Sequence, residues 1–316
     1  MSAAAKPSMS FLTPPTGKTH WVYCCGAHAT EESARQEAQQ IAPKFAGENS
    51  GAVFWHDTRV LDFVRDDSRE LSRQAGLVNR LASSMRKCAE LLHEKQQDPP
   101  LTVIGHSYGA ELIRQALLQC SDGGRSHFSV VTLGGVSMIP KSLARTARNY
   151  VHVDDLIAEG ANRLFDRSGV LDRVKKVYEE RMRPGTNTVR QAILRVFARE
   201  VYENLNTTNL VGKEADEAAK IEKDGRYVQL FLKFSSEGID RGWVARGLEN
   251  WIKPIKDYNI YLMQEGVPVP DKPFGFDEEL AADPKMCEDA IQEMIALGKK
   301  SLASHVVTAF AGISLG

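Results

Sequence analysis

Apolar positions recur along this chain in two rhythms. Short continuous runs occupy residues 20–25, 51–56, 101–104, 128–133 and 149–153, and most are rich in Val, Ile, Tyr, Trp and Phe. Such runs predict strands buried on both faces of a sheet. Between them apolar residues return every three or four positions. Thr30 followed by Glu31 and Glu32 marks a helix start, with a capping hydroxyl and negative charge in the first turn, and that helix is expected to reach about Phe45. Leu71, Ala75, Val78, Leu81, Met85, Cys88 and Leu92 form one face of a second, longer helix, closed by Pro99-Pro100. Gly26 to Ala29 and Ser121 to Gly124 read as loops. Strands alternating with helices predict an α/β fold with a mostly parallel sheet flanked by helices.

After residue 157 the alternation stops. Val170, Val174, Val177 and Tyr178, then Val189, Ile193, Val196, Phe197 and Val201, have helical spacing, with Pro184-Gly185 between the two groups. Residues 227–234 read as a strand, 267–273 as a Pro-rich loop, and 283–302 as a helix. The chain therefore divides into a tail over 1–18, an α/β core over 19–157, a helical insertion over 158–226 and a return to the core over 227–316. The tail holds Ala, Ser, Pro and Gly without a continuous apolar stretch. It is expected to be disordered and is unlike a secretory leader.

Composition narrows the function. A formal net charge of −1 over 316 residues gives no basic field for nucleic acid. Cys24, Cys25, Cys88, Cys120 and Cys287 lack metal-ligand spacing and are odd in number, which points to a reducing compartment without a disulfide framework. No stretch approaches the roughly 20 apolar residues of a membrane span, so the sequence reads as cytoplasmic. No glycine-rich phosphate loop follows the first strand, and no cofactor or metal is expected.

The candidate chemistry lies in Leu101-Thr102-Val103-Ile104-Gly105-His106-Ser107-Tyr108-Gly109-Ala110, where a buried-strand run passes through Gly-x-Ser-x-Gly into a helical pattern. A sharp strand-to-helix turn forces its central residue into a strained conformation, and small residues two positions either side let the backbone close around it. Residues 105–110, set after that strand, resemble the nucleophile elbow of α/β-hydrolases of the lipase/esterase kind. The likeness extends over about residues 19–158 and takes in a C-terminal histidine. It implies Ser107 as nucleophile, followed in chain order by an acid and then a histidine. Only His305 of the eight histidines lies beyond the acid candidates. Asp155, at the end of a strand and before Leu156 and Ile157, is the favoured acid. Asp154 is the alternative, with Glu237 or Asp240 a third choice.

The same likeness implies oxyanion donors on Tyr108 and on Gly26 or Ala27. The His-Gly pair common in lipases is replaced here by Cys25-Gly26-Ala27-His28, which leaves the second donor open. His106 is expected to pack beneath the turn. The implied activity is hydrolysis of a carboxylic ester through an acyl-enzyme, with a lipid ester preferred because the insertion resembles a cap. Trp243 and Trp251 read either as core or as walls of an acyl pocket. Arg173, Lys175, Lys176, Arg181, Arg183, Arg190, Arg195 and Arg199 make the insertion basic. They suit either a solvated helix face or transient contact with an anionic membrane surface. No protein partner is implied. The alternative class is a hydrolase-fold binding protein without a competent triad.

Overall fold

The computed structural model describes residues 8–11, 19–47, 50–58, 68–92, 99–156, 169–210, 241–275, 285–293 and 296. Among the described residues the sheet has seven strands: β1 (Ser8–Phe11), β2 (Trp21–Cys24), β3 (Gly51–Trp55), β4 (Leu101–His106), β5 (Phe128–Leu133), β6 (Thr146–His152) and β7 (Ile260–Met263). Their spatial order is β1-β3-β2-β4-β5-β6-β7; β2 to β7 run parallel, and β1 is antiparallel to β3 at the edge. This is an α/β architecture compatible with a hydrolase-type fold.

Helix α1 (Glu31–Ala46) covers one face of the sheet, and α2 (Ser68–Leu92) and α3 (Tyr108–Leu118) cover the other. The strand residues divide accordingly. Val22, Cys24, Val103 and Val130 pack with α2 and α3, while Trp21, Tyr23, Cys25, Ile104 and Val131 pack on the α1 side. Burial on both faces is why these strands read as unbroken apolar runs. Thr30 caps α1 through a reciprocal pair, accepting from the Ser33 amide at 3.1 Å while the Ser33 hydroxyl accepts from the Thr30 amide at 2.9 Å. A short helix, α4 (Asp122–Arg125), follows α3, where the sequence suggested only a loop.

A large helical region lies between β6 and β7: α5 (Val170–Arg181), α6 (Val189–Leu210) and α7 (Arg241–Lys256). Packing separates two units, Met1–Leu171 with Asp257–Phe274, and Asp172–Lys256 with Gly275–Gly316. Within the second, Trp251 is buried. Its indole donates to Glu200 at 2.6 Å, Arg173 lies over its ring and Phe197 meets it edge-on, so it is a core residue. The side chain of Trp243 lies outside the described residues. Many of the insertion's cations are held by neighbours. Arg183, Arg195 and Arg199 surround the buried Glu180, Lys176 bridges Asp172 and Glu200, and Arg181 donates to the Thr186 carbonyl.

Two further parts of the sequence reading differ from what is observed. Ser8–Phe11, inside the segment read as a disordered tail, forms β1, because the open edge of β3 supplies backbone partners that composition does not encode. Strand β7 and helix α7 had no counterpart in the sequence reading; β7 is only four residues long, too short for a clear period. The strand expected at 227–234 lies outside the described residues. All five cysteines are free and buried. No described helix is long and apolar enough to cross a membrane.

Candidate active site

β4 ends at His106 and α3 begins at Tyr108, so Ser107 alone makes the turn between them. Its backbone sits at φ 51°, ψ −118°, outside the allowed regions for a residue with a side chain. Serine at the start of a helix ordinarily adopts extended φ/ψ and caps the first amides with its hydroxyl. Ser107 does neither: its hydroxyl makes no capping bond to α3. The turn is held by backbone instead. The Ser107 amide donates to the Leu133 carbonyl at 3.1 Å, and the Ser107 carbonyl accepts from Ala110 and Val136, each at 3.2 Å.

Two glycines let this turn close. A methyl group at Gly109 would overlap the Cys24 carbonyl oxygen and lie 2.7 Å from that of Cys25, so the first turn of α3 rests directly on the end of β2. One at Gly105 would lie 2.9 Å from the Ala110 backbone. Gly26, in the loop after β2, is packed against the serine itself: a methyl there would be 3.0 Å from Ser107 Cβ and 3.5 Å from His106 Nδ1.

The loop that carries Gly26 is clamped by the residues that end and follow β3. His56, fully buried, approaches the Cys25 carbonyl with Nε2 at 2.9 Å; the His28 amide donates to the Thr58 carbonyl at 2.9 Å; and the Trp55 indole donates to the Ala29 carbonyl at 2.7 Å. His28 itself has φ 63° and is exposed, consistent with a loop bent sharply at that point. Ala27 is partly buried against the core on the α2–α3 side. Tyr108 is buried, with its ring 5.8 Å from that of His56 in an edge-to-face arrangement. As the first residue of α3 it carries one of the amides that have no acceptor inside the helix.

On the α1 side, Glu37 accepts the Tyr23 hydroxyl at 2.5 Å and lies 3.3 Å from His106 Nδ1. Burial, and then the bond to Glu37, push the Tyr23 phenol above its ordinary range. Burial likewise pushes the Cys25 thiol up to about 12, so this cysteine beside Gly26 stays protonated and is no rival nucleophile.

The two aspartates after β6 are placed differently. Asp154 is exposed and 3.9 Å from His152 Nδ1 through one carboxylate oxygen. Asp155 is half-buried, and its Oδ2 lies 3.0 Å from where a methyl at Gly134 would stand. Gly134 follows Leu133, the residue whose carbonyl receives the Ser107 amide. The Asp155 carboxylate is thus turned toward the end of β5, the strand beside β4. His305, Glu237 and Asp240 lie outside the described residues. Sequence reasoning overlooked His56, Thr58, Glu37 and Tyr23. The one available signal was position, since His56 directly follows a strand at the carboxyl end of the sheet, where α/β proteins collect their chemistry.

Compared with protein-family models, with curated proteins and with solved structures, the chain matches none.

Proposed function

We propose that this protein is a serine hydrolase that cleaves carboxylic esters through an acyl-enzyme on Ser107. The observation that carries the reading is the serine at positive φ between β4 and α3 whose hydroxyl is withheld from helix capping. A residue is held in such a conformation, at about 1–3 kcal/mol, only where its surroundings enforce it, and such sites concentrate at functional positions. Gly105, Gly109 and Gly26 allow the backbone to close around it, as a nucleophile elbow requires.

In this reading His305 removes the Ser107 proton as Oγ attacks the ester carbonyl, and the developing oxyanion is received by amides of Tyr108 and of Gly26 or Ala27. His305 then gives its proton to the departing alkoxide, leaving the acyl group on Ser107. Water, deprotonated by His305, attacks the acyl carbonyl; the acid leaves and Ser107 regains a proton. Asp155 orients His305, and the inward turn of its carboxylate favours it over the exposed Asp154.

An apolar acyl group is the preferred substrate class. Leu156, Val267 and Val269, at 76, 59 and 59 % exposure, follow the carboxyl ends of β6 and β7, the end of the sheet at which Ser107 lies. The helical region between β6 and β7 is read as a cap.

Turnover of p-nitrophenyl esters of graded chain length tests this. Ser107→Ala and His305→Ala each lower kcat by about 10³-fold or more, and Asp155→Asn by a comparable factor. Asp154→Asn, a change at an exposed carboxylate, stays within about threefold. Turnover that survives Ser107→Ala removes the proposal. Folded wild-type protein without ester turnover favours the binding-protein alternative.

A further inference from the structure

Buried polar side chains need a reason, and His56 is a fully buried imidazole in contact with Tyr108, which follows Ser107, and with Cys25, which precedes Gly26. Nε2 stands 2.9 Å from the Cys25 carbonyl oxygen, and a carbonyl only accepts, so Nε2 carries the proton and donates. That carbonyl belongs to the same planar peptide as the Gly26 N–H, and in a trans peptide the two groups point in opposite directions. Fixing one therefore fixes the other. Gly26 in turn lies against Ser107. The imidazole ring is engaged as well, since it meets that of Tyr108 in an edge-to-face pair at 80° between ring planes.

Resting on the reading of Ser107 as nucleophile, we propose that His56 is a positioning residue for the oxyanion site, setting the plane of the Cys25–Gly26 peptide so that the Gly26 amide is aimed where negative charge develops. This selects Gly26 over Ala27 as the second donor. The hydrogen bonds from the His28 amide to Thr58 and from Trp55 to Ala29 hold the rest of the loop, and the His56 bond falls on the donor peptide itself. His56 touches no substrate in this scheme. Its effect is confined to the transition state, in which the oxyanion exists, and spares the ground state.

The test compares wild type with His56→Phe, which keeps a ring beside Tyr108 and removes the donor, and His56→Gln, which restores an N–H. Each is assayed on p-nitrophenyl butyrate and titrated with an alkyl boronic acid, a mimic of the tetrahedral adduct on Ser107, with rates normalised to sites labelled by a fluorophosphonate. His56→Phe is expected to lower kcat about 10- to 100-fold, a fraction of the roughly 10²–10³ lost when an oxyanion donor is removed outright. KM stays within about twofold, and boronate affinity falls by the same factor as kcat. His56→Gln recovers most of the loss. Wild-type kcat in His56→Phe, or a loss carried by KM, overturns the proposal. Should His56→Phe fail to fold, the imidazole ¹⁵N signals of wild type decide. Boronate addition shifts His56 Nε2 if the hydrogen bond shares the load and leaves it unmoved if it does not. A wild-type chain that neither turns over ester nor binds boronate overturns the underlying reading of Ser107. An active wild type beside an equally active His56→Phe overturns only the role of His56.

Discussion

Ser107 keeps its conformation because the neighbours leave it no alternative. Its amide and carbonyl are committed to Leu133, Ala110 and Val136, and Gly26 and Gly109 bring β2 and its loop within contact distance of the turn. The same crowding buries Cys25, and the consequence is a pH dependence. Burial holds the Cys25 thiol up to about 12, against about 8.5 for an unfolded cysteine. Above that lower value the unfolded chain sheds the proton while the folded one keeps it. The contribution is therefore complete below about pH 8.5 and is lost as pH rises toward 12. Urea melts between pH 8 and 11 are expected to show a steeper alkaline loss of stability in wild type than in Cys25→Ala. Parallel curves contradict this account of the buried thiol.

Among the elements, β5, β6 and β7 are joined by one buried side chain as well as by their ladders. Asn149 accepts from the Thr132 hydroxyl at 3.0 Å and the Ile139 amide at 2.7 Å, and donates to the carbonyls of Ile139 at 3.0 Å and Asn259 at 3.2 Å. Asn149→Leu keeps the volume but strands these partners away from water, where each unsatisfied group costs about 1–3 kcal/mol. A loss of about 2–4 kcal/mol in urea unfolding is expected, and a loss below about 0.5 kcal/mol, the range of ordinary surface changes, contradicts it. The sequence announced β2 to β6 because both of their faces are buried and the apolar run shows it. It announced α1 through its cap and α2 through its stripe. It did not announce β7, whose Ile260–Met263 run is short and follows a helical region, nor β1, whose existence depends on a distant edge. The start of β6 at Thr146, three residues before the apolar run, was hidden by polar residues at the end of the sheet.

At the scale of the molecule, a parallel sheet gathers loops from distant parts of the chain at one end. The Gly26 loop, Ser107 and Asp155 all follow the carboxyl ends of strands of the same sheet. Ser107, the Gly26 loop and the aspartate pair were legible beforehand because each is marked by residue type at a strand end. His56 and the Glu37–Tyr23–His106 cluster were not. Their place depends on which strand neighbours which and on how α1 lies across the sheet, neither of which a local pattern records. The central claim, that Ser107 is an activated nucleophile, is tested most directly by intact and peptide mass spectrometry after exposure to a fluorophosphonate. The account predicts a single phosphonyl adduct on the peptide containing Ser107, absent in Ser107→Ala. Folded protein that takes up no adduct, or an adduct that persists in Ser107→Ala, contradicts it.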